Sequence, residues 1–333
     1  MCLELEAYRE LVAGLGAAGL ERSLLTPVSQ VALSTHAHGT TVYDARMSNA
    51  PSTEPFRGGI DAGGGRTLWV ETRGAGPDVL LLGGLTDPVE SWQFQLDGLS
   101  DRYRLIAFDN AGAGRSPLPP ESEPFDSLTM AADAVTVLRA VGVDGPVHVA
   151  GFSGGTQIGQ QLALRHPDVV RSLVLVSTFA REEAYFRAVL NAFGWLVDAA
   201  PSERAALEAF FLWVYTPRAH NDGTVAAIID EALATPSEQP PEAFRRQLEA
   251  FSSHFLIDEL PRITVPTLVL AGGLDILTPP RAGKEAADAI SGAVFEVWAD
   301  EAHQPFQEVP DQFNARVDAF WQSVRGVEGG GQP

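Results

Sequence analysis

Residues 147–165 read VHVAGFSGGTQIGQQLALR. Apolar and β-branched residues fill 147–151, and apolar residues then recur at helical spacing until His166-Pro167 stops them. This predicts a strand at 147–151 and a helix at 154–165. Between the two stands Gly151-Phe152-Ser153-Gly154-Gly155, a G-x-S-x-G pattern. Alone the pattern is weak, because Gly and Ser are common, but at a strand-to-helix turn it is specific. Such a turn forces its central residue into strained backbone angles and needs neighbours almost free of side chain. Ser153 Oγ is then held beyond the carboxyl end of the strand, at the positive end of the following helix. The competing reading is an ordinary Gly/Ser loop, and the flanking strand and helix argue against it.

The same alternation extends in both directions. Strands are predicted at 66–72, 78–82, 103–108, 173–177, 267–271 and 294–298, and helices at 128–141, about 280–290 and 311–324. Apolar strands separated by helices require an α/β fold, a mostly parallel, doubly wound sheet with helices on both faces. Residues 181–262 break the rhythm with several helical patterns and no clear strand, and read as an inserted helical cap. The expected organisation is therefore a helical arm at 1–50, a core formed by 51–180 and 263–325, the cap at 181–262, and a flexible Gly-rich tail at 326–333. Pro51, Pro55, Gly58, Gly59 and Gly63–Gly65 read as punctuation between arm and core.

Composition narrows the function. In 333 residues, 45% hydrophobic and 20% charged, there is material for a large core. The formal net charge of −20 repels phosphate backbones and anionic lipid, so nucleic acid and membrane surfaces are not expected partners. The single cysteine, Cys2, excludes intramolecular disulfides and cysteine-based zinc sites. Glu4, Glu6 and Glu10 precede the apolar run 11–20, where a signal peptide carries positive charge. With no apolar stretch near ~18 residues, the cytoplasm is the expected compartment. Leu5, Tyr8, Val12 and Leu15 recur at helical spacing, and that helix is a candidate to dock on the core or to pair subunits in a homo-oligomer. Gly14-Leu15-Gly16-Ala17-Ala18-Gly19 matches G-x-G-x-x-G but follows a helix-like segment and lacks the acidic residue ~20 positions on that a dinucleotide site needs.

A serine hydroxyl needs a base, and the base needs an orienting acid. In a doubly wound sheet both should follow strands, at their carboxyl ends. Asp275 follows the strand TLVLA, and His303 follows the strand VFEVW. The chain order Ser153, Asp275, His303 places each just beyond a strand. His148 lies inside a strand, His166 at a helix end, His36 and His38 in the arm, and His254 in the insertion, where it is a candidate pocket residue. Asp300 and Glu301 share the loop of His303 and rank below Asp275 as the orienting acid.

These segments resemble the α/β-hydrolase superfamily, serine-nucleophile branch, over about 56–325. LLLGGLTDP at 80–88 resembles its oxyanion loop, FDNAGAGRS at 108–116 its Asp-x-x-Gly-x-Gly-x-Ser turn, GFSGG at 151–155 its nucleophile elbow, and AGGLDILTPP at 271–280 its acid loop. Residues 155–177 are most similar to small esterases and enol-lactonase-type hydrolases. Many members carry His-Gly where this chain has Gly83-Gly84. The resemblance implies that the backbone N–H groups of Leu85 and Gly154 form the oxyanion hole, and that no metal or organic cofactor is needed.

The expected reaction is hydrolysis of a small, largely apolar carboxylic ester or lactone through an acyl-enzyme. Two alternatives use the same scaffold: a cofactor-free perhydrolase or acyltransferase, and a non-catalytic ligand-binding protein. The insertion holds 11 of the 28 aromatic residues, which suits either an apolar pocket or simple packing on the core. Phe152, Phe179, Trp213 and His254 are the candidate substrate contacts, and Arg181 and Arg187 are candidates to meet a substrate carboxylate, against the commoner reading of solvated arginines.

Overall fold

Val79 and Leu81 pack into one hydrophobic cluster, and their neighbours Leu80 and Leu82 into another. Successive strand residues point to opposite faces, so a strand apolar on both faces must be covered on both. The computed structural model describes residues 55–63, 66–234 and 239–329. The expected arm at 1–50, with its pairing role and its glycine pattern, lies outside them, as do 330–333.

Among the described residues eight strands form one sheet: β1 (Arg57–Gly63), β2 (Arg66–Arg73), β3 (Asp78–Leu82), β4 (Arg104–Phe108), β5 (Val147–Phe152), β6 (Val170–Val176), β7 (Thr267–Gly272) and β8 (Val294–Trp298). Their spatial order is β1-β2-β4-β3-β5-β6-β7-β8. β1–β2 and β2–β4 pair antiparallel, and all other pairs are parallel. The helices of the first half are α1 (Gln93–Leu99), α2 (Ser127–Ala140) and α3 (Gly154–Arg165). Between β6 and β7 come α4 (Ala184–Ala199), α5 (Glu203–Phe211), α6 (Pro217–Asn221), α7 (Thr224–Ala234) and α8 (Pro241–Ser252). The chain ends with α9 (Pro280–Ala289), α10 (Pro305–Glu308) and α11 (Pro310–Gly329). One face of the sheet packs on α2, α3 and α9, the other on α1 and α11. Helices α4 to α7 bury a cluster of their own, including Val189, Phe193, Phe211, Val225 and Ile229. Among the described residues no helix is long and apolar enough to cross a membrane.

Three differences from the sequence expectation concern local signals. Residues 57–63 form β1 rather than a linker, because an edge strand tolerates Gly58, Gly59 and Gly63 when its partner β2 supplies the ladder. The short α1 was not expected, yet it buries Gln95, Leu96 and Leu99. The last helix passes through Gly326, where a flexible tail was expected, and ends at Gly329. One interior glycine costs only ~1 kcal/mol and does not by itself stop a helix.

Candidate active site

β5 ends at Phe152, and Ser153 follows with φ 49° and ψ −118° as the N-cap of α3. A positive φ on a non-glycine residue stores on the order of 1–3 kcal/mol, which the surrounding structure must hold. Close packing does so here. A Cβ on Gly155 would lie 2.2 Å from the Leu82 carbonyl oxygen, and one on Gly151 would lie 2.5 Å from the Gly155 carbonyl oxygen. The helix, the turn and β3 therefore meet backbone to backbone. Gly155→Ala should leave little folded protein, because no side chain can move aside to relieve the clash. A melting temperature within ~2 °C of wild type, under ~1 kcal/mol for a domain of this size, would contradict that packing.

The three residues expected to react come together. His303 Nε2 lies 3.0 Å from Ser153 Oγ. His303 Nδ1 lies 2.7 Å from Asp275 Oδ2. A carboxylate can only accept, so Nδ1 carries the proton and Nε2 is left to accept from the serine hydroxyl. Asp275 Oδ1 accepts the backbone N–H groups of Leu277 (2.8 Å) and Thr278 (2.9 Å). The Thr278 hydroxyl lies 2.8 Å from Asp275 Oδ2 and 3.0 Å from the Ser177 carbonyl oxygen. Asp275 and His303 are both only 3% exposed.

The histidine loop is braced from three directions. Ser177 Oγ donates to the His303 carbonyl at 2.7 Å. The His303 N–H donates to the Val214 carbonyl at 3.1 Å, which ties the loop to the insertion. The Leu274 N–H donates to the Glu301 carbonyl at 2.9 Å, which ties it to the acid loop. The Glu301 side chain instead meets Arg218 at 2.7 Å.

The loop after β3 is held by groups distant in sequence. Gly84 N–H donates to Asp87 Oδ2 (2.9 Å), and Thr86 N–H donates to Gln247 Oε1 of α8 (2.7 Å). Asn110 Nδ2 donates to the Gly83 carbonyl at 3.0 Å. Leu85 lies between these anchors, and both Leu85 and Gly154 line the cavity that Ser153 and His303 line. Gly154 is the first residue of α3, where backbone N–H groups have no intrahelical acceptor. Asp109 accepts from the Val89 N–H (2.7 Å) and from the Arg115 guanidinium (2.9 Å), which makes its turn a brace for this loop.

Around these groups about 600 Å³ of empty space, mouth included, opens between the sheet and the insertion. Phe152 and Phe179, two of the four candidate substrate contacts, line it. Trp213 and His254, the other two candidate contacts, are not among its lining residues. Trp213 packs edge-on against Phe193, with ring centroids 5.2 Å apart. His254 sits 3.0 Å from Gln160 Oε1 and 3.2 Å from Ser127 Oγ, and burial pushes its pKa down to about 3, so it is a neutral, structural histidine. Arg181 pairs with Glu285 at 2.6 Å, and Arg187 pairs with Glu182. Neither arginine lines the cavity. Sequence reasoning missed Ser177, Thr278 and Asp87. Thr278 carried a readable signal, a hydroxyl three residues after the acid; the other two are placed by packing.

Residues 77–308 match the family described as the alpha/beta hydrolase fold, and the chain belongs to it. Over 260 residues it is 32% identical to the putative carbamate hydrolase RutD of Azorhizobium caulinodans, covering 78% of this chain and 96% of that one. It is 33% identical over 229 residues to a pimeloyl-[acyl-carrier protein] methyl ester esterase of Neisseria meningitidis, covering 67% of this chain and 84% of that one. The crystal structure of an enol-lactonase from Burkholderia xenovorans superposes with a TM-score of 0.70 over 79% of this chain and 99% of that one, at 24% identity, a likeness of fold. The protein is an enzyme of the hydrolase class, with esterases and lactonases among its relatives and structural neighbours.

Proposed function

We propose that the protein is a serine hydrolase that cleaves a carboxylic ester or lactone of a small, largely apolar substrate through an acyl-enzyme. The observation that carries this reading is the Ser153–His303–Asp275 chain of hydrogen bonds, 3.0 and 2.7 Å long, at the wall of a cavity lined mainly by Phe, Leu and Val. Ser153 Oγ attacks the substrate carbonyl carbon while His303 Nε2 takes its proton. Negative charge develops on the carbonyl oxygen, which the Leu85 and Gly154 N–H groups receive. His303 then returns the proton to the departing alcohol oxygen, and a water activated by the same imidazole releases the acid. Asp275 keeps the ring in the productive tautomer. The two curated relatives support a carbonyl target, since their names specify a carbamate and a methyl ester.

Arg181 and Arg187, the candidate cations for a substrate carboxylate, are paired with glutamates and do not line the cavity, so neither supports an anionic substrate. A fluorophosphonate probe followed by peptide mapping tests the proposal. Stoichiometric label on the peptide containing Ser153 is expected. Label on another serine, or none, would refute it. With water, peroxide and an alcohol competing for the acyl group, the free acid is the expected main product, and a dominant peracid or new ester would turn the reading towards perhydrolysis or acyl transfer.

A further inference from the structure

Among the residues lining the cavity, two have ionisable side chains, and only His303 belongs to the reacting chain. The other is Asp87. It stands two residues after Leu85 on the loop that receives the oxyanion. Its hydrogen-bond partners are neutral: the Gly84 N–H at 2.9 Å and the Ser91 hydroxyl. No lysine or arginine pairs with it among the described residues, and none lines the cavity. A carboxylate placed beside a reacting centre, with no countercharge and with apolar walls around it, sets up a field that water screens poorly.

We propose that Asp87 is the charge selector of this site, a specificity-determining carboxylate that turns away acyl groups ending in an anion and admits uncharged ones. The inference rests on the ester-hydrolase reading and goes beyond it, because a nucleophile, base and acid say nothing about the charge of the substrate. The loop itself needs only an acceptor for the Gly84 N–H, which an amide oxygen would serve equally well. Charge at this position therefore has an effect separable from loop support. Burial pushes the Asp87 pKa up to about 6. The selector is thus charged at pH 8 and becomes neutral as the pH falls below 6. The titratable groups that feel it are His303 and Tyr215, and Tyr215 is held well above its ordinary pKa by burial and by the charges of Asp87 and Glu308.

Two esters with the same five-carbon acyl chain, ending in a methyl group or in a carboxylate, test the proposal: 4-nitrophenyl pentanoate and the mono-4-nitrophenyl ester of glutaric acid. For the wild-type enzyme at pH 8, kcat/KM should favour the uncharged ester. In Asp87→Asn that preference should shrink by at least ~10-fold, equivalent to about 1.4 kcal/mol. Asparagine keeps the acceptor for Gly84, so a purely structural role would move both substrates together and leave the ratio fixed. In the wild type the ratio should also shrink as the pH is lowered from 8 to 5.5, because Asp87 takes up a proton there while the free glutarate carboxyl, with an ordinary pKa near ~4.3, stays ionised. A pH effect on the chemical step common to both esters cancels in the ratio. The dissociation constants of the two esters in Ser153→Ala, with and without Asp87→Asn, give the same comparison without turnover. A ratio unchanged by Asp87→Asn in both formats overturns the selector. Absence of turnover with the selectivity still visible in binding would count against the hydrolase reading and in favour of the selector.

Discussion

Ser153→Ala should lower kcat/KM for 4-nitrophenyl butyrate by about 10⁶-fold and leave a folded protein, since losing the nucleophile of such a triad removes covalent catalysis altogether. The size of the effect follows from the geometry. Ser153 Oγ is 3.0 Å from His303 Nε2, and no other hydroxyl is recorded at that nitrogen among the described residues. Thr278 approaches the ring from the other side, at Nδ1, and is not placed to substitute. Alanine is close in size to serine, and the turn is held by contacts that do not involve the hydroxyl: the Ser153 N–H to the Val176 carbonyl at 2.9 Å, and the Thr156 N–H to the Ser153 carbonyl at 2.9 Å. An unchanged circular-dichroism spectrum should therefore accompany the loss of rate. Turnover within ~10-fold of wild type would remove Ser153 from the mechanism.

Asp275→Asn should cost about 10⁴-fold in kcat, again without unfolding, and the reason is directional. Asp275 Oδ1 accepts two backbone N–H groups, from Leu277 and Thr278, so the asparagine oxygen must take that position. The amide NH₂ then faces His303 Nδ1, where Oδ2 now lies 2.7 Å away. A donor there makes Nδ1 an acceptor and moves the ring proton to Nε2, the nitrogen that must receive the proton of Ser153. The ring stays in place with the wrong tautomer. Glu301→Gln is the informative control. Glu301 is close to His303 in sequence, but its carboxylate faces Arg218 at 2.7 Å, so kcat should stay within ~10-fold of wild type. If Glu301→Gln were the more damaging substitution, the orienting role would pass from Asp275 to Glu301.

Much of this site was legible because its signals are local. Ser153 stands in a five-residue pattern between a strand and a helix, and Asp275 and His303 each follow an apolar run that reads as a strand. β3, β8 and α3 have the bounds their sequence pattern predicts, because continuous apolar runs and a clean helical stop admit few alternatives. The signal failed where glycine disguised an edge strand, as in β1, and where aromatic content stood in for position, as with Trp213. His254 and Trp213 have the composition of pocket residues, yet one is spent on Gln160 and Ser127 and the other on Phe193. Arg181 and Arg187 have the charge to bind an anion and are occupied by glutamates.

The order of strands and helices, and the residues able to react, follow from periodicity and chain order, which the sequence carries on its own. That Ser153 and His303, 150 positions apart, meet at 3.0 Å is a consequence of parallel strands ending side by side. Which side chains face the cavity was decided only in three dimensions, because a side chain's direction and its partner are set by packing between segments remote in sequence. Asp87 is the clearest case: the sequence shows one more acidic residue in a loop, and the fold turns it toward the reacting centre with no lysine or arginine paired to it among the described residues.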